Sequence, residues 1–506
     1  MLSVVKSGGT IGVNGYLVDV EVNISPGLPQ FITVGLPDTA VKESKERVKS
    51  AIESLGFKFP LKRITVNLAP ADVPKIGTLY DLPIAVGILK SIGILEIEDR
   101  YKVAFIGELS LTGELRRVKG VLPIVIKLRE EGFERVVLPK ENEEEASIVN
   151  GIDVYGFGNL REIIMFLKGE LERAPAIGYI GESLFLDTNS SGDFSEIRGQ
   201  YTLKRALEVA AAGRHNVLLI GSPGAGKTLA VKRLPSILPP LTVEEAIEIT
   251  KIRSIAGTLK GNIVRERPFR QVHHTASDIS LIGGGSFPKP GEVSLAHLGV
   301  LVLDEIPEFK RKTLEALRQP LEDREVVISR ANSKVRFPAN FQLVATANPC
   351  PCGFRFDPNR ECRCTPIEIK RYLGKISGPL LDRIDISVTV MPVSPQELSS
   401  KQEGEPSYVI KERVIKATKI QRERFKDEEI NYNSEMSPSH IDRYAKLSKQ
   451  ATEILNTAVS KLSLSARSYH RIIKVARSIA DLAGEEEILQ NHITEAIKYK
   501  VNENLF

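Results

Sequence analysis

The chain has 506 residues, of which 42% are hydrophobic and 26% are charged, so it is long enough for about three domains with separate cores. No apolar run reaches the roughly 18 residues that a transmembrane helix needs, and no basic stretch followed by an apolar one opens the chain, so we expect a cytoplasmic protein without membrane contact. The formal net charge of +5 is too small over this length to indicate a nucleic-acid partner by itself.

Residues 1–168 alternate strand and helix patterns, which predicts a mixed α/β domain. Leu17 to Val22 alternates apolar and polar side chains, as a half-buried strand does. Asp38 is a candidate N-cap for a helix that continues to Leu55, and Gly56 stands where a C-cap glycine is common. The other expected elements are strands at 31–34 and 63–68, a buried helix at 79–89 and a hairpin at 103–115.

A glycine-rich loop follows the apolar run at 217–220. Its sequence, Gly-Ser-Pro-Gly-Ala-Gly-Lys-Thr, lets successive backbone N–H groups point at a nucleotide's phosphates, and the next helix adds its N-terminal dipole. In this pattern the lysine reaches the β- and γ-phosphates and the threonine hydroxyl binds Mg²⁺. The alternative is a glycine-rich turn with a chance lysine, which the strand-to-helix context disfavours. The candidate nucleotide-binding residues are Gly221, Ser222, Pro223, Gly224, Ala225, Gly226, Lys227 and Thr228.

Two later strands end in polar residues. The apolar run at 300–303 leads into Asp304 and Glu305, which predicts one carboxylate that holds Mg²⁺ through water and a second that polarises the attacking water. Alone, this pattern also fits a buried strand that reaches solvent, but its position after a phosphate-binding loop favours catalysis. A strand at 341–345 is followed by Asn348, a candidate partner of the γ-phosphate or the water, or a capping residue before Pro349.

Between these two strands, residues 325–338 predict a β-hairpin with its turn at 331–333. Arg330, Lys334 and Arg336 lie on it, with no acidic residue between Ser329 and Phe337. They are candidate contacts to DNA phosphates and would bind the backbone without reading sequence. The alternative is an ordinary solvated hairpin tip.

All four cysteines lie in one short stretch, as Cys350, Cys352, Cys362 and Cys364. Two Cys-x-Cys pairs supply four thiolates to a tetrahedral Zn²⁺, and because no ligand position stays open the zinc would be structural. A pair of disulfides is the competing interpretation, disfavoured in a reducing cytoplasm. Basic residues in or beside this stretch suggest a contact with nucleic acid as well: Arg355, Arg360, Arg363, Lys370 and Arg371.

Composition divides the rest of the chain. Residues 169–192 contain Pro175, Gly178, Gly181 and the run Asn189-Ser190-Ser191-Gly192 with little periodicity, which is typical of a linker. Helical patterns dominate after residue 394, at 408–425, 441–447, 451–462, 466–482 and 493–502. We therefore expect an α/β ATPase core at 193–393, between the first domain and a helical lid at 394–506.

The chain resembles the YifB/ComM family of magnesium-chelatase-like AAA+ ATPases over nearly its whole length, on stretches such as VGLPDTAVKES at 34–44 and ITVNLAPAD at 64–72. The resemblance implies that the first domain is similar to the catalytic domain of Lon proteases. Lon-type catalysis needs a serine shortly after a Pro-Lys-x-Gly-like turn. Here Pro74-Lys75-Ile76-Gly77 is followed by Thr78, for which a turn or capping role is the alternative. We expect a non-catalytic domain that serves structure or docks a protein partner.

The resemblance also implies roles for two arginines that the residues alone would leave as salt bridges. Arg383, in Leu-Leu-Asp-Arg-Ile-Asp, matches the arginine finger that reaches a neighbouring subunit's nucleotide. Arg467, in Ser-Ala-Arg-Ser, matches the sensor arginine that the helical lid presents to the same ATP. An arginine finger contributes on the order of 10³–10⁵ in turnover, so hydrolysis would depend on assembly.

The family relationship further implies a hexameric ring that uses ATP and Mg²⁺ to act on DNA. Its expected client is single-stranded or branched DNA without sequence preference, and its expected activity is that of a helicase promoting branch migration while transforming DNA is integrated. A chelatase-like ATPase that remodels a protein partner is the alternative. An ATP-dependent peptidase is disfavoured by the missing serine.

Overall fold

A computed structural model of the protein describes residues 2–97, 102–178, 181, 192–285, 287–330, 333–358, 360–393, 404–462 and 464–500. The chain divides into two compact units. The first comprises Met1–Leu184 with Val243–Val264, and the second comprises Phe185–Thr242 with Arg265–Phe506. Among the described residues, no helix combines the length and the apolar character needed to cross a membrane.

The first unit is built on a seven-stranded mixed sheet in the order β3-β4-β2-β1-β5-β8-β9, beside which β6 and β7 form a small hairpin. The strands are β1 (Leu2–Ile11), β2 (Asn14–Ser25), β3 (Gln30–Val34), β4 (Arg63–Ala69), β5 (Val103–Phe105), β6 (Glu108–Leu109), β7 (Leu115–Arg116), β8 (Arg135–Pro139) and β9 (Asp153–Phe157). The pairs β1–β2 and β2–β4 are antiparallel, and the other pairs of this sheet are parallel.

Helices cover this sheet. They are α1 (Thr39–Lys42), α2 (Ser44–Ser54), α3 (Asp81–Ser91), α4 (Val121–Glu130), α5 (Glu143–Ala146) and α6 (Leu160–Leu167). The Asp38 side chain accepts the N–H of Val41 at 2.8 Å, and Gly56 follows α2 with a φ of +84°, so both predicted helix ends are confirmed. The single helix expected between them is divided at Glu43 into α1 and α2. The predicted hairpin at 103–115 is wrong in its first arm, because β5 pairs in parallel with β1 and β8 inside the main sheet.

The second unit contains a five-stranded sheet in the order β11-β14-β17-β10-β18, with every neighbouring pair parallel. Two hairpins, β12–β13 and β15–β16, lie outside it. The strands are β10 (Val217–Gly221), β11 (Phe269–Val272), β12 (Gly283–Gly284), β13 (Lys289–Pro290), β14 (Val300–Leu303), β15 (Glu325–Arg330), β16 (Ser333–Pro338), β17 (Gln342–Ala347) and β18 (Ile386–Val390). In a parallel sheet all carboxyl ends meet at one edge, which gathers the segments that follow β10, β14 and β17.

The remaining helices continue to the end of the described chain. They are α7 (Tyr201–Gly213), α8 (Lys227–Arg233), α9 (Val243–Ala256), α10 (Asp278–Ile282), α11 (Glu292–Leu295), α12 (Arg311–Glu315), α13 (Arg318–Asp323), α14 (Pro366–Leu373), α15 (Gly378–Leu381), α16 (Ser407–Arg424), α17 (Pro438–Tyr444), α18 (Lys449–Leu462), α19 (Ala466–Ala483) and α20 (Gln490–Lys498). The prediction of an α/β protein with a parallel-sheet core and a C-terminal helical region is confirmed.

Helix α9 lies between β10 and β11 in the sequence but belongs to the first unit. The hydroxyl of Ser254 donates to the buried carboxylate of Glu145, and its carbonyl accepts the N–H of Gly120 at 3.2 Å. Arg117 donates to the carbonyl of Leu259 at 3.2 Å. The sequence alone places this segment in the ATPase core. In the structure the segment is grouped with the first unit, where Ser254 adds a hydrogen-bond donor to the buried carboxylate of Glu145.

Candidate functional site

The phosphate-binding loop connects β10 to α8 in the second unit. Gly224 and Gly226 have φ angles of +80° and +91°, in the left-handed region that favours glycine. A Cβ on Gly221 would lie 2.2 Å from the carbonyl oxygen of Val390 on the neighbouring strand. Backbone conformation and close packing therefore explain why these three positions are glycine.

Lys227 begins α8 and is only 8% exposed. Its Nζ donates to the carbonyls of Gly221 at 2.5 Å and Ser222 at 3.0 Å, and to Asn348 Oδ1 at 3.3 Å. Burial lowers the pKa of Lys227, while the negative charges of Asp304 and Glu305 act in the opposite direction. The structure thus brings the predicted lysine, asparagine and acidic pair into one site.

The acidic pair follows β14 and is oriented by a threonine on the adjacent strand β17. The hydroxyl of Thr346 donates to Asp304 Oδ1 at 2.5 Å and accepts the N–H of Glu305 at 3.0 Å. Glu305 has a φ of +56°, which is uncommon for a residue other than glycine, and its side chain is exposed, whereas Asp304 is half-buried. The sequence patterns assigned no role to Thr346. A hydroxyl side chain at the end of an otherwise apolar strand could have indicated that this residue orients the acidic pair.

Asn348 follows the same strand. Its Oδ1 accepts from Lys227, and it caps none of the described helices. Thr228 is exposed at the start of α8, one residue after Lys227. Hydroxyl and carboxylate oxygens are the ligands that Mg²⁺ prefers, so Thr228 and Asp304 fit the predicted magnesium site by their chemistry.

The four cysteines form one cluster of free thiols. The Sγ atoms of Cys350, Cys352 and Cys362 are 3.4–3.7 Å apart, and Cys364 Sγ accepts the N–H of Cys352 at 3.4 Å. A tetrahedron with Zn–S bonds of about 2.3 Å has sulfur–sulfur edges of about 3.8 Å. The residues therefore fit a structural Zn²⁺, and the disulfide alternative has no support in the arrangement.

The cysteine cluster adjoins the nucleotide loop, a contact that sequence spacing did not reveal. A Cβ on Gly353 would lie 2.7 Å from Cδ of Pro223, so the backbone at Gly353 packs closely against the Pro223 ring. Tyr372 is buried on α14, one residue before its end, and its pKa is raised by burial and by the carboxylates of Glu308 and Glu305. The segment that holds the cysteines thus flanks both the loop and the acidic pair.

The two predicted arginines lie at the other edge of the sheet. Arg383 pairs with Glu322 at 2.8 Å, and Arg467 pairs with Asp382 at 2.8 Å. Both line a polar cavity of about 370 Å³, with residues that immediately precede strands β10, β17 and β18, namely Asn216, Phe341 and Asp385. Helix α19 carries Arg467 to this amino edge, beside Arg383.

The predicted hairpin at 325–338 is confirmed as β15 and β16, paired from Glu325 opposite Pro338 to Arg330 opposite Ser333. Lys334 is exposed, whereas Arg336 forms an ion pair with Glu325 at 2.9 Å. The Arg330 side chain and residues 331–332 lie outside the described part of the chain. The sequence shows no acidic residue close to the tip, yet Arg336 has an acidic partner because Glu325 lies on the facing strand.

Comparisons with known proteins match three consecutive regions to magnesium-chelatase families. The profile "Subunit ChlI of Mg-chelatase" matches residues 20–142, "Magnesium chelatase, subunit ChlI" matches 193–398, and "Magnesium chelatase, subunit ChlI C-terminal" matches 404–500.

Individual relatives extend this match. Competence protein ComM of Haemophilus influenzae is 45% identical over 506 residues, which cover 99% of this chain and 97% of the relative. YifB of Escherichia coli is 41% identical over 509 residues, covering 100% and 98%. The magnesium-chelatase 38 kDa subunit of Rhodobacter capsulatus is 24% identical over 323 residues, covering 59% and 84%.

Proposed function

The chain belongs to the YifB/ComM family of magnesium-chelatase-like AAA+ proteins, and we propose that its subunits form an ATP-driven ring, a hexamer, that acts on DNA. The proposal of ATP hydrolysis rests on one observation. Four side chains converge at the carboxyl edge of one parallel sheet, namely Lys227, Asp304, Glu305 and Asn348. A cation, two carboxylates and an amide at the end of a phosphate-binding loop are the groups that phosphoryl transfer to water requires.

Each residue has a distinct task in this proposal. The loop N–H groups and Lys227 bind the phosphates, and Thr228 with Asp304 holds the magnesium ion, which neutralises charge on the phosphate oxygens. Glu305 polarises the attacking water, and its exposed carboxylate is placed by the Thr346 hydroxyl that bonds its N–H. Asn348 bridges Lys227 to the position of the water or the γ-phosphate.

Arg383 and Arg467 act on the ATP of a neighbouring subunit. A strand of five residues such as β10 spans about 17 Å, which is longer than an arginine side chain, so neither arginine reaches the loop of its own subunit across the sheet. Their shared cavity favours a joint role, with Asp382 and Glu322 as resting partners. In a ring, hydrolysis then requires assembly.

DNA is the proposed client. The name of the H. influenzae relative, a competence protein, supports a substrate connected with DNA uptake, and exposed Lys334 on the hairpin is suited to a phosphate. We assign branch migration of single-stranded or forked DNA as the activity. The likeness to a magnesium-chelatase subunit favours the second candidate, an ATPase that remodels a protein partner docked on the first unit.

Steady-state ATP hydrolysis by the zinc-loaded protein, with and without single-stranded and forked DNA, separates the two candidates. Measurements at two salt concentrations and several protein concentrations are expected to show stimulation by DNA that weakens with salt and rises with assembly. Hydrolysis that rises with assembly but ignores DNA would replace the DNA motor with the protein remodeller. Glu305→Gln is expected to bind ATP without hydrolysing it, which is the control for contaminating ATPases.

A further inference from the structure

The backbone around Arg383 is held from the lid by a second arginine of α19. Arg471 Nη1 donates to the carbonyl of Leu381 at 3.0 Å and to that of Ile384 at 2.7 Å. Its Nη2 donates to the hydroxyl of Ser468 at 3.0 Å, which orients the guanidinium from its own helix. The two carbonyls flank Asp382 and Arg383, so one planar group clamps both ends of the turn.

The same turn is held from the sheet by Asn216, which immediately precedes β10. Its Nδ2 donates to the carbonyl of Arg383 at 2.8 Å, and its Oδ1 accepts the N–H of Leu343 at 2.8 Å. The backbone N–H of Asn216 also donates to Asp385 Oδ2 at 3.0 Å. Because the side-chain amide donates to the Arg383 turn and accepts from β17, it fixes Arg383 relative to β10 and β17.

A third connection passes through His215. Its Nε2 lies 2.8 Å from the hydroxyl of Ser478 on α19, and its Nδ1 lies 3.5 Å from Asp385. The order Ser-His-Asp is that of a hydrolase triad, but His215 and Ser478 are fully buried. No substrate reaches this serine, so the three residues instead connect the lid helix α19 to the start of β18, the strand that follows Arg383.

We propose that Arg471 and Asn216 are positioning residues for Arg383: they set the direction in which it projects toward the neighbouring subunit's ATP. The inference rests on the proposed function, in which Arg383 acts in trans. Arg467, one helical turn before Arg471, binds Asp382 in the same turn. Movement of the lid helix therefore moves the turn, and the lid of one subunit controls hydrolysis in the next.

Four variants test the inference: Arg383→Ala, Arg471→Ala, Arg471→Lys and Asn216→Ala. Arg383→Ala is expected to lower kcat on the order of 10³-fold. Arg471→Ala and Asn216→Ala are expected to lower it by about 10²-fold, the usual effect of misplacing a reacting group by an ångström. Nucleotide binding, measured with a fluorescent ATP analogue, should stay at the wild-type value because the loop is untouched. Arg471→Lys keeps the charge but not the planar fork, so its kcat should fall between wild type and Arg471→Ala.

Arg443→Ala is the matched control, since Arg443 is an exposed lid arginine that pairs with Glu428 on the same lid. It should keep the wild-type kcat. The double variant Arg383→Ala/Arg471→Ala should be no slower than Arg383→Ala, because a residue that acts only through Arg383 has no effect once Arg383 is gone. An additive loss of kcat in the double variant would overturn the inference.

Mixed rings separate this inference from the proposed function. A Lys227→Ala subunit has an intact Arg383 turn but no working loop, so mixing it with Arg383→Ala or with Arg471→Ala should restore hydrolysis above that of either component. Mixing Arg471→Ala with Arg383→Ala should restore nothing. If Lys227→Ala fails to restore Arg383→Ala, the action in trans is wrong. If it restores Arg383→Ala while Arg471→Ala and Asn216→Ala keep the wild-type kcat, only the positioning role is wrong.

A loss of folding is recognised independently. Thermal unfolding midpoints and the elution volume of each variant report the fold and the assembly. Should Arg471→Ala prove unfolded, Arg471→Lys and Asn216→Ala carry the test alone, since Asn216→Ala keeps the backbone bond to Asp385. Wild-type kcat in both of these variants would overturn the positioning role.

Discussion

The two edges of the five-stranded sheet in the second unit present different kinds of site. At the carboxyl edge, the functional side chains stand within a few residues of the ends of β10, β14 and β17. At the amino edge, the turn of Arg383 depends on Asn216, 167 residues earlier in the chain, and on Arg471, which bonds a carbonyl 87 residues before it. A motif therefore encodes the first site almost completely, whereas the second exists only after the lid and the sheet have packed together.

Removing the lysine of the carboxyl edge gives the largest expected effect. Lys227→Ala should lose ATP binding and lower hydrolysis on the order of 10³-fold or more, because no other cation in the described site replaces its three bonds to loop and Asn348 oxygens. Binding of a fluorescent ATP analogue and steady-state hydrolysis measure both losses. Lys232→Ala, an exposed lysine of the same helix, is the matched control, and wild-type binding in Lys227→Ala would refute the site.

Thr346 tests whether the carboxyl edge also needs a residue outside its motifs. Thr346→Val removes the hydroxyl that bonds Asp304 and Glu305 while keeping the shape of the side chain. We expect kcat to fall by about 10–100-fold, as for other groups that orient metal ligands, and the Mg²⁺ requirement to rise. Magnesium titrations of the ATPase provide the measurement. Thr389→Val on the exposed face of β18 should change neither value, and an unaltered Thr346→Val would show that the acidic pair orients itself.

Removal of the metal tests the comparison of the two edges further, because the cysteine segment meets the nucleotide loop at the carboxyl edge through a tertiary contact and not through a local motif. Cys364→Ser, or treatment with a zinc chelator, should release one zinc per chain and raise the KM for ATP by about tenfold, since Gly353 of the cysteine segment packs closely against Pro223 of the nucleotide loop. Metal analysis and ATP titration are read in parallel. A zinc-free protein with the wild-type KM would contradict this coupling, and restoration by added Zn²⁺ after chelation excludes irreversible damage.

The smallest expected effects concern the hairpin. Lys334→Ala should reduce the slope of log affinity for DNA against log salt concentration by about 1, the contribution of one phosphate contact. Arg336→Ala should reduce it by less, because Glu325 already neutralises that guanidinium. DNA-binding titrations at several salt concentrations compare the two variants. Equal slopes for both and for wild type would remove the hairpin from the DNA interface.

Much of the secondary structure followed from local patterns, as in the capped helix after Asp38 and the hairpin at 325–338. The failures share a cause. Strand β5 was assigned to a hairpin because its neighbours in sequence alternate in the right way, but its partners β1 and β8 are distant in the chain. Helix α9 was placed with the residues around it, although Glu145 and Gly120 of the first unit are what it contacts.

The sequence by itself determined the phosphate-binding loop, the acidic pair and the four thiols, because their chemistry depends on residue types at short, contiguous spacing. Only the tertiary structure decided that Thr346 joins the acidic pair, that the cysteine segment packs against Pro223, and that Arg467 and Arg471 meet the turn of Arg383. The physical reason is that these contacts join side chains and carbonyls from distant elements, whose proximity is set by how helices and strands bury their apolar faces and not by any local pattern.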